Sequence, residues 1–330
     1  MAKRSEIQKA LKVATKAKQP VLILGPPAIG KSQTVRQVAE ETGMKFYDVR
    51  CSYLDAVDIR GLPVPNTSKQ EVNWLAPEFW PKQDEKEPSI LFLDEITNCP
   101  NSTQVGLLEL SLDRKIGNYR LPDNCVIVSA GNRVEDKAGS NKLITSLASR
   151  FLPIEFELDN DDWIEWAWDN DIDETIISFI RFRPDALYDF DPRSKELAFS
   201  SPRSLEKLSN IRKVGVPSEI EFTMYSGLIG KAIASEYTGF LRTYREMPDP
   251  AEVLLDPMGC DVPEKTNVLY ALCGALARRA ESANAEKVIM FAQRMPKEFE
   301  VLLVSDCIKQ HGKEFTDNAL FKKWACNNEL

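Results

Sequence analysis

Hydrophobic residues in the first half of the chain form short runs that are separated by amphipathic stretches. Residues 21–24, 90–93 and 126–128 are wholly apolar, and residues 45–49 and 154–156 are more mixed runs of the same kind. Apolar runs of three or four residues predict strands that are buried on both faces. Because helical stretches alternate with these runs, the pattern predicts a parallel sheet of five strands flanked by helices.

Apolar residues spaced three and four positions apart predict the helices between the strands. The predicted helices of the first half span residues 5–17, 31–42, 102–113 and 143–149. In the third of these, the spacing places Val105, Leu108 and Leu112 on one face. This helix is therefore expected to bury that face against the rest of the domain.

Two short segments have features of β-hairpins. Residues 62–64 and 71–74 flank a polar turn, which predicts a protruding hairpin. A packed surface loop fits this proline-rich segment equally well. Residues 115–121 predict a smaller hairpin that turns at Gly117.

Beyond about Glu157 the strand signals stop and helical patterns continue. Trp163 and Trp166 lie at helical spacing and are interpreted as core residues. Further helices are predicted over residues 201–211, 220–245, 267–280 and 296–309, with a proline-marked break at residues 248–263. The second half is therefore predicted to be helical.

Composition restricts the class of protein without deciding its function. The 330 residues suffice for two or three domains, and 43% hydrophobic with 28% charged residues is typical of a soluble globular protein. A net charge of −8 argues against a protein that coats nucleic acid. Seven cysteines without a C-x-x-C pair favour reduced thiols. With no apolar signal core and no run of membrane-spanning length, the sequence predicts a cytoplasmic protein that does not enter a membrane.

The first apolar run leads into a segment that fits G-x-x-x-x-G-K-[ST]. A strand, a loop bounded by glycines and a helix N-terminus in that order direct backbone N–H groups towards a polyphosphate. Lys31 would reach the outer phosphates, and the Ser32 hydroxyl would bind Mg²⁺. The segment predicts a nucleotide site whose contact residues are Gly25, Pro26, Pro27, Ala28, Ile29, Gly30, Lys31, Ser32 and Gln33.

Three polar residues follow two of the later apolar runs. Asp94 lies at a strand exit, where it is placed to hold Mg²⁺. The neighbouring Glu95 would orient and deprotonate an attacking water, a task that hydrolysis requires and that a nucleoside kinase does not. Asn132 follows the next run, and since the carboxyl ends of parallel strands meet at one edge, its amide is expected near the γ-phosphate or the water. These residues predict a site that hydrolyses a nucleoside triphosphate.

The order and spacing of five motifs resemble those of an AAA+ ATPase, and most closely the MoxR/dynein-related branch in its bacterial or phage type. The motifs are GPPAIGKS at residues 25–32, LFLDE at 91–95, SAGNR at 129–133, LASRF at 147–151 and SPRS at 201–204. The resemblance covers about residues 5 to 240. Two further stretches, FIRFRP at residues 179–184 and FLRTYREMPDP at residues 240–250, resemble a bacterial and phage subgroup and extend the resemblance towards the C-terminus with less specificity.

The resemblance implies a fold and a division into domains. A P-loop α/β domain with a parallel five-stranded sheet would span residues 1–156. An α-helical lid would follow at residues 157–245, and a helical C-terminal extension at residues 246–330. The extension would serve either as a docking platform for a partner or as a buttress for the lid.

The same motifs imply roles for three further residues. Asn132 matches the polar sensor 1 residue, and Arg150 matches the arginine finger that acts on the ATP of the neighbouring subunit. Arg203 matches the sensor 2 arginine, which touches the γ-phosphate from the lid. Three other arginines compete with Arg150 for the finger role: Arg133, Arg120 and Arg114.

The resemblance also implies a function. ATP hydrolysis with Mg²⁺, in a homo-oligomeric ring expected to be a hexamer, would drive chaperone-like remodelling of a protein client. A partner with a von Willebrand A domain is implied as well. Two other functions stay open: a nucleic-acid motor or loader on the same core, and a nucleotide-gated binding module with little hydrolysis. The acidity of the chain argues against the first, and the complete set of Lys31, Asp94, Glu95 and Arg203 argues against the second.

Overall fold

The structure, a computed structural model, describes residues 1–136, 143–245 and 247–328. The chain divides into two compact units, Met1–Asp162 and Trp163–Leu330. The division into three domains expected from the sequence stays a prediction. In the part of the chain that the structure describes, no helix has both the length and the apolar character needed to cross a bilayer.

The first unit contains nine strands and five complete helices among its described residues. The strands are β1 (Val21–Leu24), β2 (Lys45–Arg50), β3 (Leu62–Asn66), β4 (Glu71–Leu75), β5 (Ser89–Asp94), β6 (Lys115–Ile116), β7 (Tyr119–Arg120), β8 (Cys125–Gly131) and β9 (Leu152–Glu155). The helices are α1 (Arg4–Lys16), α2 (Lys31–Thr42), α3 (Ala56–Arg60), α4 (Asn101–Asp113) and α5 (Thr145–Ala148). The predicted helix at residues 143–149 is therefore present in a shorter form.

Five of the strands form one sheet in the order β2-β5-β8-β1-β9, and every neighbouring pair is parallel. Strand β8 is buried along its whole length and β5 along all but its last residue. Apolar strands of this kind are typical of a sheet that is covered on both faces. The parallel five-stranded sheet predicted from the sequence is confirmed.

Helices cover the sheet and leave one edge for the loops. Leu22 and Leu91 share a core cluster with Leu107 of α4 and Leu147 of α5. Helix α1 packs on α2, and α2 contacts β2, β5 and β8. Because the strands are parallel, the segments that follow β1, β2, β5 and β8 all begin at the same edge of the sheet. Any site assembled from these segments lies at that edge.

Both predicted hairpins are confirmed. Strands β3 and β4 pair antiparallel, from Leu62 opposite Leu75 to Asn66 opposite Glu71. Strands β6 and β7 form the smaller hairpin.

The buried face of α4 differs from the prediction. Val105 and Leu112 are 56% and 52% exposed, whereas Leu107 is buried. A Cβ at Gly106 would lie 2.8 Å from Cδ1 of Ile59, so the missing side chain lets α3 approach this face closely. Apolar residues occupy both faces of the helix, and the face predicted from periodicity to be buried is the exposed one.

Among its described residues, the second unit contains helices and no strand. Helix α6 (Asn160–Asp169) crosses the boundary between the units. It is followed by α7 (Glu174–Phe182), α8 (Pro202–Val214), α9 (Glu221–Ile229), α10 (Lys231–Arg245), α11 (Pro250–Leu255), α12 (Thr266–Arg279), α13 (Ala285–Ala292), α14 (Lys297–His311), α15 (Lys313–Thr316) and α16 (Ala319–Asn328).

Two hydrophobic clusters organise the second unit. The first joins α6 to α10 and contains Trp163 and Trp166, which confirms their assignment to the core. The second joins α11 to α16. Helix α12 contributes Ala271 to the first cluster and Leu272 to the second. The two clusters therefore share a helix.

The single helix predicted over residues 220–245 is wrong. Helix α9 ends at Ile229 and α10 begins at Lys231. Between them, Gly230 has φ +79°, a left-handed conformation that a residue with a Cβ disfavours. Amphipathic spacing continues through this position, so the periodicity alone did not reveal the break.

Candidate functional site

The loop between β1 and α2 has a backbone that suits an anion. Ala28 has φ +61° and Gly30, the N-cap of α2, has φ +96°. Left-handed residues that alternate with an ordinary one turn successive N–H groups to one side. The first N–H groups of α2 also lack acceptors within the helix. Holding Ala28 in this region costs about 1 kcal/mol, and such strain is typical of ligand-binding loops.

Gly25 anchors this loop against the sheet. A Cβ at Gly25 would lie 2.9 Å from the Phe156 carbonyl oxygen, so a side chain would displace the loop. The Gly25 N–H donates to the Gly131 carbonyl at 3.3 Å. The other predicted contact residues differ in burial: Pro26 and Pro27 are half-buried, Ile29 is buried and Gln33 is exposed.

The Lys31 ammonium lies inside the loop, and the residue is only 8% exposed. Its Nζ donates to the carbonyls of Gly25 and Pro26 at 2.8 and 2.7 Å. A third bond, of 2.9 Å, runs to Oδ1 of Asn132. A buried ammonium needs such compensation. The positive charge is therefore held where the outer phosphates of a nucleotide would meet the loop.

Ser32 and Asp94 form a pair of oxygen donors beside the loop. The Ser32 hydroxyl donates to Oδ2 of Asp94 at 2.8 Å, and the Glu95 N–H donates to Oδ1 at 2.9 Å. Burial raises the pKa of Asp94 above its ordinary value, and both hydrogen bonds oppose that shift. Adjacent hydroxyl and carboxylate oxygens suit Mg²⁺, which prefers oxygen ligands and keeps places for phosphate oxygens and water. The residues present therefore fit this metal.

Glu95 has an unusual backbone and a partner that sequence reasoning missed. Its φ is +55°, in the left-handed region. The hydroxyl of Ser52, in the turn after β2, donates to Oε2 of Glu95. Strand β2 lies next to β5, so the segments that follow these two strands meet at one edge. The only sequence signal for this contact was a serine shortly after β2. That signal can be interpreted only when the strand order, with β2 next to β5, is known.

Asn132 reaches the loop from the end of β8. Its Oδ1 accepts the bond from Lys31, and its backbone N–H donates to Oγ1 of Thr97 at 3.0 Å. The structure therefore brings Lys31, Asn132, Ser32 and Asp94 together at one edge of the sheet. Their chemical roles stay predictions.

The four candidate finger arginines have different surroundings. Arg114 donates to the carbonyls of Pro122 and Cys125 at 2.5 and 2.7 Å, and Arg133 pairs with Asp136 at 3.0 Å. The other two arginines project into solvent. Arg120 lies 4.0 Å from Asp123, and Arg150 has no side-chain partner among the described residues. Arg150 and Arg120 are therefore available to another molecule, whereas Arg114 supports its own turn.

Arg203 lies in the second unit, at the first turn of α8. Ser201 caps this helix through a bond from the Ser204 N–H, and Pro202 occupies the first turn. The Arg203 side chain is exposed. A cation in the first turn of a helix is locally unfavourable. Ser201 and Pro202 account for the start of the helix. The Arg203 guanidinium is therefore not needed to form it.

Comparison with known proteins identifies a domain within the first unit. Residues 21–154, less than half of the chain, match the family described as "ATPase family associated with various cellular activities (AAA)". No curated protein sequence matches the chain.

A comparison with solved structures found several that are similar to this chain at low identity. They include a provisionally assigned ATPase of Cytophaga hutchinsonii, with 17% identity, 91% of this chain and 79% of that chain covered, and a TM-score of 0.37. NtrX of Brucella abortus in complex with ADP has 14% identity, 99% and 67% coverage, and a TM-score of 0.42. The Thermotoga maritima RuvB Holliday junction branch migration motor has 17% identity, 83% and 80% coverage, and a TM-score of 0.41. The match covers the phosphate loop and the parallel sheet, so residues 21–154 resemble an AAA domain in sequence and in fold.

Proposed function

We propose that this protein is a Mg²⁺-dependent ATPase of the AAA+ type. The observation that carries the proposal is a pair of contacts across the sheet edge. Lys31 bonds to Asn132 at 2.9 Å, and Ser32 bonds to Asp94 at 2.8 Å. These bonds join the phosphate loop to the ends of β5 and β8, which supports a site in which both segments would contact the same phosphate chain.

The reaction follows from these positions. ATP lies along the loop, with its outer phosphates on Lys31 and the N-terminus of α2. Ser32 and Asp94 would hold Mg²⁺, and the ion would supply positive charge that offsets the negative charge of the phosphates. Glu95 accepts a proton as the water oxygen bonds to the γ-phosphorus, and the bond to the β–γ bridging oxygen breaks. During this step the Asn132 amide holds a γ-phosphate oxygen. ADP and inorganic phosphate then leave.

The contact between Ser52 and Glu95 bears on this reaction. Ser52 donates to Oε2, and Oε1 is left to accept a hydrogen bond and then a proton from the attacking water. Because hydrogen bonds to charged groups are worth about 1.5–3 kcal/mol, the bond from Ser52 holds the carboxylate in one orientation.

The exposed Arg150 supports a ring in which neighbouring subunits share each site. Its guanidinium follows α5 and finds no partner among the described residues of its own chain. A finger from a neighbour supplies positive charge to the transition state and is worth about 10³-fold or more in related phosphoryl transfers. On this proposal a hexamer, with Arg203 of the lid at each γ-phosphate, converts hydrolysis into motion between subunits.

The output of that motion is remodelling of a protein client, as the resemblance to MoxR-type proteins suggests, with a von Willebrand A domain protein as a candidate partner. A nucleic-acid motor has less support. The one lysine at the tip of the larger hairpin, Lys69, lies 3.9 Å from Glu71, which offsets its charge. With a net charge of −8, the chain also repels phosphate backbones at long range.

Steady-state ATP hydrolysis at several protein concentrations tests the shared site. Turnover per subunit is expected to rise with concentration and then level off as rings form. Glu95→Gln should lower kcat about 10²-fold or more while ATP still binds, since the general base is lost. Arg150→Ala should lower kcat about 10³-fold.

Arg120→Ala tests the other exposed candidate for the finger role in the first unit. It should leave turnover near the wild-type value. Per-subunit turnover that does not change on dilution, together with a near wild-type Arg150→Ala, would contradict the shared site. Absence of phosphate release from the assembled wild type would instead favour a nucleotide-gated binding module.

A trapping experiment distinguishes protein remodelling from a nucleic-acid motor. Glu95→Gln with ATP should retain a client protein that the apoprotein releases. Salt-dependent binding to single- or double-stranded DNA, with an affinity that falls steeply between 50 and 200 mM salt, would favour the nucleic-acid motor instead.

A further inference from the structure

Asn132 lies beyond the last hydrogen-bonded rung of its strand. The ladder between β8 and β5 ends at Ser129 opposite Leu93, and the ladder between β8 and β1 ends at Gly131 opposite Leu24. The Gly131 carbonyl still accepts the Gly25 N–H, but no strand among the described residues accepts the Asn132 N–H. A residue that must present an amide to within a fraction of an ångström needs another anchor.

Thr97 supplies that anchor. It lies in the turn Ile96–Asn98, directly after Glu95, and is 3% exposed. Its Oγ1 accepts the Asn132 N–H at 3.0 Å and donates to Oδ1 of Asn98 at 3.2 Å. Because Asn98 takes the hydroxyl hydrogen, a lone pair is left to face Asn132.

Gly131 makes this approach possible. A Cβ at Gly131 would lie 2.6 Å from Cγ2 and 2.7 Å from Oγ1 of Thr97, closer than real Cβ atoms come to any neighbour. The turn after Glu95 is therefore pressed against the end of β8. The path continues through Asn132 Oδ1 to the Lys31 ammonium. One hydroxyl thus links the turn of the acid pair to the group that holds the phosphates.

We propose that Thr97 is a positioning residue that sets the Asn132 amide for the γ-phosphate through its hydroxyl. This rests on the proposed function, because Asn132 has a task only if a nucleoside triphosphate is hydrolysed. Thr97 does not touch the nucleotide. Its hydroxyl acts only on the backbone N–H of Asn132, and the Asn132 side chain is the group that would contact the γ-phosphate.

Two substitutions separate the hydroxyl from the shape of the side chain. Thr97→Val keeps the volume but leaves the Asn132 N–H without its acceptor, and kcat for ATP should fall about tenfold. Thr97→Ser keeps the hydroxyl and should stay within about twofold of wild type. The dissociation constant of ADP should be unchanged in both, because ADP lacks the γ-phosphate.

A double-mutant cycle with Asn132→Ala tests the route of the effect. In that background Thr97→Val should lower kcat by no more than about a further twofold, since the amide it positions is absent. If Thr97→Val does not fold, Asn98→Ala serves instead. That change releases the hydroxyl hydrogen and should lower kcat about threefold in the wild type and not in the Asn132→Ala background.

Wild-type turnover in Thr97→Val, or a tenfold loss that persists when Asn132 is already alanine, would overturn the proposal. The proposed function fails in a different way. A wild-type protein that releases no phosphate, or Asn132→Ala with full turnover, would contradict the hydrolytic site itself, whatever Thr97 does.

Discussion

Folding moves the carboxylate of Asp94 partly out of water, which disfavours its ionised form. Its desolvation raises its pKa in the folded chain, so the ionised form is less favourable there than in the unfolded chain. The resulting loss of stability is absent below the unfolded pKa and fully present above the folded pKa. At neutral pH the buried charge of Asp94 therefore lowers the stability of the folded chain.

Asp94→Asn is expected to stabilise the metal-free protein at neutral pH while it abolishes Mg²⁺-dependent turnover. The amide removes the buried charge and keeps an oxygen for the Ser32 hydroxyl. The midpoint of thermal unfolding should rise by about 1–3 °C. The gain should vanish as pH falls through the pKa of Asp94, since the wild-type carboxyl is then protonated as well.

Asp123→Asn is a suitable comparison because the Asp123 side chain is 81% exposed. It should change neither the midpoint nor turnover. A lower midpoint for Asp94→Asn than for wild type in metal-free buffer would show that the hydrogen bonds to the carboxylate outweigh its desolvation.

The residues of the site could be predicted to different degrees. The loop of Gly25 to Ser32 and the pair Asp94 and Glu95 are consecutive in sequence, so their chemistry could be recognised without a fold. Ser52 and Thr97 carry no local signal. Each becomes meaningful only through a partner from another segment, Glu95 for the first and Asn132 for the second.

At the scale of elements, the break between α9 and α10 depends on one glycine. Gly230 has φ +79°, and a Cβ there would lie 3.1 Å from the Ala198 carbonyl oxygen. Gly227, three residues earlier, lies within α9 and is exposed, and a Cβ there would meet nothing within 4 Å. The two glycines are a matched pair for separating backbone strain from helix propensity.

Gly230→Ala is expected to lower the free energy of unfolding by about 1–2 kcal/mol, because alanine is strained in the left-handed region. Gly227→Ala is expected to raise it by about 0.5–1 kcal/mol, because alanine favours a helix. Chemical denaturation followed by circular dichroism measures both. Equal effects of the same sign would mean that Gly230 does not hold the conformation seen here.

Helix α4 shows why an element can be predicted while its packing is not. Its bounds, Asn101–Asp113, agree with the sequence to within one residue, because apolar spacing and the preceding proline both indicate them. Both of its faces are apolar, however. The face that contains Gly106 is the buried one, because the missing side chain leaves room for Ile59 to pack there.

At the scale of the whole molecule, a buried ion pair joins the two clusters of the second unit. Arg181 of α7 forms a bidentate pair with Asp306 of α14, and the side chains are 8% and 2% exposed. Helix α12 packs on both α7 and α14. These contacts tie α12 and α14 to α7, whereas the choice between a buttress and a docking platform stays a prediction.

Removal of both partners of this pair should cost less unfolding free energy than the sum of the two single removals. Arg181→Met or Asp306→Leu alone leaves an uncompensated buried charge and should cost about 3–5 kcal/mol of unfolding free energy. The double variant should cost less than the sum by at least about 2 kcal/mol. Urea unfolding of the four proteins measures this coupling, and additive losses would refute it.

The sequence by itself determined the alternation of strands and helices, the phosphate loop and the acid pair. These depend on neighbouring residues, whose spacing and chemistry act over a few positions. An all-apolar strand such as residues 90–93 has few alternatives to a buried sheet. The chemistry of an intact phosphate loop follows from its own backbone.

Only the tertiary structure decided which segments meet. The order β2-β5-β8-β1-β9 places the turn of Ser52 beside Glu95 and the turn of Thr97 beside Asn132. Local preferences contain no information about strand order, because that order results from packing between residues distant in the chain. For the same reason the buried face of α4 and the link from α7 to α14 could not be read from periodicity.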